Sequence, residues 1–152
     1  MLLTAKESDF LKDLKGAEEL CIEKYTRYAA AAKCPELKDL FERMKSTEQN
    51  HLNTISSMMA GNEPTPPENI SAKGDNTVFC GYAYTSPEDK KSDQFLLSDM
   101  LSTEKHVSAV YDTGIFEFRS PAARKMLSHI QCDEQQHGEM IYAFMNANSM
   151  YN

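Results

Sequence analysis

Carboxylates and imidazoles recur in this 152-residue chain in a pattern that can hold metal. Glu18 is followed by Glu48-x-x-His51, and positions 18, 48 and 51 return as Glu104, Glu134 and His137, a constant offset of 86. Within a helix, Glu-x-x-His puts both side chains on one face, one turn apart, so both can address a single ion. Four carboxylates moved into an apolar interior would each cost several kcal/mol and would repel one another. Two divalent cations cancel the charge of the four glutamates, and two neutral imidazoles complete the ligand set. Oxygen and nitrogen donors without thiolate suit iron first and manganese as the alternative, while zinc would bind adventitiously.

These ligands need helices to carry them. Thr4-x-x-Glu7 is a capping-box signature, and it opens a stripe of Leu11, Leu14, Glu18, Cys21 and Tyr25 that runs to about Lys33. Pro35 suits the first turn of a second helix, whose stripe reads Leu37, Phe41, Met44, Glu48, His51, Ile55 and Met58 before Gly61. Ser86-Pro87-Glu88-Asp89 restarts helix, with Leu97, Met100 or Leu101, Glu104, Val107, Tyr111, Ile115 and Phe118 on its stripe. Ser120-Pro121 repeats the earlier break, and Ala123, Leu127, Ile130, Glu134, His137, Ile141 and Phe144 follow. In each stripe a glutamate occupies the slot of a core leucine.

Between the hairpins at 4–60 and 87–148, residues 61–86 hold Pro64, Pro66, Pro67, Gly74 and Gly81, too many breakers for periodic structure. About 25 residues can span at most roughly 80 Å, more than the roughly 38 Å of a 25-residue helix. The connection can therefore run the bundle's length and make the second and third helices parallel. Val78, Phe79, Tyr82 and Tyr84 are expected to pin it to the bundle. The chain thus reads as a single all-α domain, a four-helix bundle of two hairpins joined by a long crossover.

The same offset pairs Leu11 with Leu97, Asp13 with Asp99, Tyr25 with Tyr111, Pro35 with Pro121, Gln49 with Gln135, Ile55 with Ile141 and Met59 with Met145. This is the mark of a duplicated hairpin with a pseudo-two-fold axis. The register selects Glu18 over Glu19, which should face solvent. Tyr25 and Tyr111 stand two turns beyond Glu18 and Glu104, where a hydroxyl can bond a carboxylate or relay an electron, or the ring can simply pack. Asp133 is a candidate to orient a ligand histidine from outside, although Thr47 fills the matching place in the first half. His106 and His129 should point away from the ligand face. Met58, Met59, Met126, Met140 and Met145 read as core filler.

Composition excludes several classes. A formal charge of −7 with no basic stripe argues against nucleic acid. No apolar run approaches the roughly 20 residues of a membrane span, and Met1-Leu2-Leu3 leads straight into polar sequence with no signal-peptide pattern, so a cytoplasmic chain is expected. Cys21, Cys34, Cys80 and Cys132 form no C-x-x-C pair, which leaves them as reduced thiols, mostly packing.

A Glu from each of two helices with Glu-x-x-His from the other two is the ligand set of the ferritin-like di-iron and di-manganese bundles. The segments Leu96-Leu97-Ser98-Asp99-Met100-Leu101, Glu104-Lys105 and Asp133-Glu134-Gln135-Gln136-His137 resemble the Coat F family of spore coat proteins over about residues 87–150. Gly16-Ala17-Glu18 and Glu48-Gln49-Asn50-His51 are similar to rubrerythrin-type domains, which reduce peroxide with the same six ligands. The resemblances imply a ferritin-like fold, two iron ions bridged by Glu48 and Glu134, and hydrogen peroxide or dioxygen as oxidant. They also imply a homodimer or higher homo-oligomer, other spore coat proteins as partners, and a place in the mother-cell cytoplasm or the coat. The cysteine-rich rubredoxin module of rubrerythrins is missing from this sequence, so a peroxidase would need an external reductant. Three function classes stay open: a di-iron peroxidase or oxidase, a structural spore component that keeps the metal as a staple or only its vestige, and iron storage in a cage, for which the sequence identifies no assembly surface.

Overall fold

In a computed structural model, which describes residues 1–71, 74 and 76–151, the expected periodicities become four helices with no strand among the described residues. They are α1 (Ala5–Ala31), α2 (Pro35–Met59), α3 (Pro87–Ile115) and α4 (Pro121–Ala147). Three start on a proline, which loses no hydrogen bond there because the first N–H groups of a helix have no intrahelical acceptor. Thr4 and Glu7 form the capping box of α1, while Ser86 and Ser120 cap α3 and α4 by accepting from Asp89 and Ala123. Two ends fall short of the sequence reading. α1 stops at Ala31 and not near Lys33, and α3 stops at Ile115, leaving Phe118 buried in the turn beyond it.

The helices pair as hairpins, α1 with α2 and α3 with α4, and the hairpins meet along α1–α3 and α2–α4. Tyr25 reaches Glu104 while Tyr111 reaches Glu18, so α1 and α3 are antiparallel. His51 opposite Asp133 and Glu48 opposite His137 make α2 and α4 antiparallel as well. It follows that α2 and α3 run parallel, which requires the connection between them to travel the bundle's length. That segment is pinned at three of the four expected places. Phe79 packs edge-on against Phe144 at 5.4 Å, the Tyr82 N–H donates to Asn148 Oδ1 at 2.8 Å, and the Tyr84 hydroxyl donates to Asp93 Oδ2 at 2.7 Å. Val78 is 84% exposed and pins nothing.

Two apolar clusters fill the interior. One, around Tyr25, Phe41, Leu97 and Phe144, lies toward the α1–α2 turn; the other, around Leu11, Leu14, Ile55, Tyr111 and Leu127, lies toward the α3–α4 turn. Each fully buried leucine or phenylalanine contributes about 1.5–3 kcal/mol, so the clusters hold the rods together and leave the layer between them for polar groups. Cys21 and Cys34 pack as expected, but Cys80 is exposed and Cys132 only half-buried, the first on the connection and the second off the core stripe of α4.

The duplication extends to contacts between the hairpins that helical periodicity does not reveal. Glu7 Oε1 accepts from the Arg119 backbone N–H at 2.9 Å, and Asp93 Oδ1 accepts from the Lys33 N–H at 2.8 Å. Positions 7 and 93 are related by the offset of 86, as are 33 and 119. A buried acid at the start of each hairpin thus holds the turn of the other, across the pseudo-two-fold axis.

Candidate metal centre

The four helix stripes bring all six predicted residues to one place. Glu18, Glu48, His51, Glu104, Glu134 and His137 are buried, and they form two quartets of potential ligand atoms: Glu18, Glu48, His51 and Glu134 in one, Glu48, Glu104, Glu134 and His137 in the other. Within each quartet the atoms lie within 4.8 Å of one another. Glu48 and Glu134 belong to both. Each of these carboxylates turns one oxygen to either histidine: Glu48 Oε2 is 2.9 Å from His51 Nδ1 and Oε1 is 3.1 Å from His137 Nδ1. Glu134 Oε1 and Oε2 lie 3.0 and 3.8 Å from the same two nitrogens. Glu18 and Glu104 approach one histidine each, at 3.7 Å from His51 and 3.2 Å from His137. Glu19, the rejected neighbour, is exposed.

Tyr25 and Tyr111 are fully buried and donate short hydrogen bonds, Tyr25 to Glu104 Oε1 and Tyr111 to Glu18 Oε1. Each tyrosine holds the glutamate of the other half. Spacing along one helix could place the hydroxyl near the ligand layer but not tell which carboxylate it meets, since that depends on which helices are neighbours. Burial, followed by the charge of Glu104 for Tyr25 and Glu18 for Tyr111, pushes both phenols well above their usual range, so both remain donors.

Asp133 orients a histidine as proposed, and the histidine is His51 on α2, whose Nε2 lies 2.9 Å from Asp133 Oδ2. If Nε2 carries the proton, Nδ1 presents its lone pair to the quartet. Thr47, the match of Asp133, supplies no carboxylate to His137, and its hydroxyl turns to the Arg43 carbonyl of its own helix at 3.4 Å. His106 is exposed, as expected. His129 points away from the ligands yet is not detached from them, because its Nε2 lies 3.8 Å from Asp133 Oδ2. Cys21 sits beside the centre as a neutral thiol, burial and then the charge of Glu48 pushing it up, and Val107 takes its place in the other half. It is a packing residue.

Whether these residues fit cations can be tested on the carboxylates. Glu18 Oε2, Glu104 Oε2 and both Glu134 oxygens are buried without a hydrogen-bond partner. Although Glu134 Oε1 is 3.0 Å from His51 Nδ1, it lacks hydrogen-bonding geometry. Two phenols and two inward nitrogens offer four donors to eight carboxylate oxygens, so these donors leave part of the layer unpaired. Buried polar atoms are seldom left so, because each costs about 1–3 kcal/mol and more when charged. The donor set fits two hard or borderline divalent cations.

The titration behaviour points the same way. Burial, then the charge of Glu48, pushes Glu18 up to about 7. Burial, then the charge of Glu104, pushes Glu134 well above the carboxylate range. Burial acts against Glu48 too, but hydrogen bonds from His137 and His51 outweigh it and hold Glu48 well below that range. Against the same desolvation, Asp133 and the glutamates raise His51 well above its usual value, and Glu104 and Glu48 raise His137 to about 10. The layer retains protons in place of other positive charge.

The structure therefore defines an all-α four-helix bundle with a buried carboxylate and imidazole layer capable of holding two cations. Within that class, residues 92–152, which span α3 from Ser92 onward and all of α4, match the family model of the Coat F domain. No curated protein and no solved structure matches the chain. Among the described residues, no helix is long and apolar enough to cross a membrane.

Proposed function

We propose that the chain is a ferritin-like dimetal carboxylate protein of the spore coat that binds two iron ions, or manganese in their place, and reduces hydrogen peroxide or dioxygen. The observation that carries this reading is the pair of overlapping quartets with Glu48 and Glu134 common to both, in a layer where four carboxylate oxygens have no other partner. Glu18 and His51 would complete one ion's ligands, and Glu104 and His137 the other's. Two ferrous ions held by these residues would supply two electrons to one oxidant.

The chain's own residues supply the rest. Tyr25 and Tyr111 lock Glu104 and Glu18 in position and offer phenolic protons beside the centre. Asp133 fixes the ring of His51. The apolar clusters above and below close the layer at its two ends. Glu18, Glu134, His51 and His137 hold protons that they would give up on binding cations, so metal affinity would rise with pH. Repeated turnover would need a separate reductant.

The second reading is a structural coat component in which the ions only staple the helices, and the Coat F match favours it. Metal analysis of protein from iron-supplemented cells, followed by peroxide and oxygen consumption with Fe(II), separates the two. About two iron or manganese per chain with turnover supports the enzyme. The same metal without turnover leaves the scaffold, and a chain that takes up neither metal removes both.

A further inference from the structure

The two halves share ligands but not the surface above them. Between α3 and α4 a cavity of about 450 Å³ opens to solvent, with Glu104 and Glu134 among the residues that line it. Both are buried, and both carry oxygens with no hydrogen-bond partner. Gly138 and Ser108 line the same cavity, and Lys105 stands exposed at its edge. Carried back through the offset of 86, these three positions in the α1–α2 half are Leu52, Ile22 and Glu19. One half therefore has two bulky apolar side chains and an acid where the other has a hydrogen atom, a hydroxymethyl group and a cation.

Gly138 lies well inside α4, where glycine is destabilising relative to alanine. Steric need does not explain it, since a Cβ there would meet only Leu101 Cδ1 at 3.8 Å, an ordinary contact with another residue lining the cavity. What glycine supplies is space. Two cavities on the α2–α4 face are lined by His137 in one and His51 in the other, and by none of the four central glutamates.

We propose that the centre is served from one side, through a window between α3 and α4 kept open by Gly138 and Ser108, which admits small anionic or uncharged ligands of the peroxide class to the Glu104–Glu134 edge. Lys105 favours anions at the mouth, where its counterpart Glu19 would repel them. This rests on the dimetal reading above and adds the route and the chemistry of what enters.

Azide is a suitable probe, as a small anion that binds metal without turnover. The full chain is loaded with Co(II), whose visible spectrum reports both occupancy and azide binding, and azide association is followed by stopped flow. Gly138→Leu and Ser108→Ile, each giving α3–α4 the residue of the other half, should retain two cobalt ions per chain and slow association by about tenfold or more, since a filled window must open before ligand passes. Leu52→Gly, which thins the opposite face, should leave the rate within about twofold of the parent protein, and Lys105→Glu should lower it. Unchanged azide rates in both Gly138→Leu and Ser108→Ile, with cobalt fully bound, would overturn the window alone. A parent protein that binds no cobalt would overturn the dimetal reading and the window with it.

Discussion

At the ends of the bundle, Glu7 and Asp93 are as deeply buried as the glutamates at its middle, yet their oxygens are fully occupied. Glu7 accepts from the Thr4 N–H and hydroxyl at 2.7 and 2.9 Å and from the Arg119 N–H at 2.9 Å. Asp93 accepts from the N–H groups of Lys33 and Cys34 at 2.8 and 3.0 Å and from the Tyr84 hydroxyl at 2.7 Å. At the middle, Glu18 and Glu104 each keep one oxygen without a partner and Glu134 keeps two. The end acids stabilise the fold because protein donors replace the water they lost. The central acids destabilise it unless cations do the same. Burial of a carboxylate therefore says little about its role until its donors are counted.

The strongest way to break this comparison is to remove the two shared carboxylates. Glu48→Ala combined with Glu134→Ala should reduce bound metal from about two per chain to none, measured by elemental analysis after dialysis, while Glu19→Ala keeps the full complement. Undiminished metal in the double variant would refute the assignment of the centre.

Stability of the chelator-treated chain should respond with opposite signs at the two places. Asp93→Ala strands the Lys33 and Cys34 N–H groups and should cost about 3 kcal/mol. Glu134→Leu exchanges an unpartnered carboxyl for an apolar side chain of similar volume and should stabilise by about 1–3 kcal/mol. Urea denaturation of both variants reads the signs directly, and equal signs would dissolve the distinction.

Within the centre, Asp133 distinguishes the quartets. Asp133→Ala should weaken one of two metal-binding steps by about 10–100-fold and leave the other near its parent value, because His51 loses its outer partner and His137 does not. Calorimetric titration with Co(II) resolves the steps. Uniform weakening of both would mean that the halves act as one.

The smallest effect lies at Glu7 and depends on pH. Burial works to raise this carboxyl, but the N–H groups of Arg119 and Thr4 outweigh it and lower it to about 2 from an ordinary 4.5. A carboxyl more acidic folded than unfolded contributes its full stability above the unfolded value and loses it as pH falls toward the folded one. The metal-free parent chain should therefore lose about 2 kcal/mol more than Glu7→Gln between pH 5 and pH 2, followed by thermal unfolding at each pH.

Much of this architecture was legible in the sequence because helical periodicity and proline breaks are local signals, and the offset of 86 aligned the six residues of the buried polar layer without knowledge of contacts. The pairing of helices is not local. Tyr25 could be placed near the ligand layer but not on Glu104, and Asp133 could be suspected without identifying His51 as its partner. Glu7 was readable as half of a capping box, and nothing in that motif reveals the second bond to Arg119. A signal for the pair did exist, since the register relates Glu7 to Asp93 and Lys33 to Arg119, but Glu and Asp are not identical and an identity match passes over them. Val78 was misplaced for another reason: the connection has no period from which to infer an inward face.

Reciprocity across the pseudo-two-fold axis has a consequence for unfolding. Arg119 and Lys33 each lose an acceptor if the opposite hairpin departs, and Glu18 and Glu104 each lose a phenol. Neither half can melt while the other stays native, so heat or denaturant should reveal a single sigmoidal transition with no half-folded plateau.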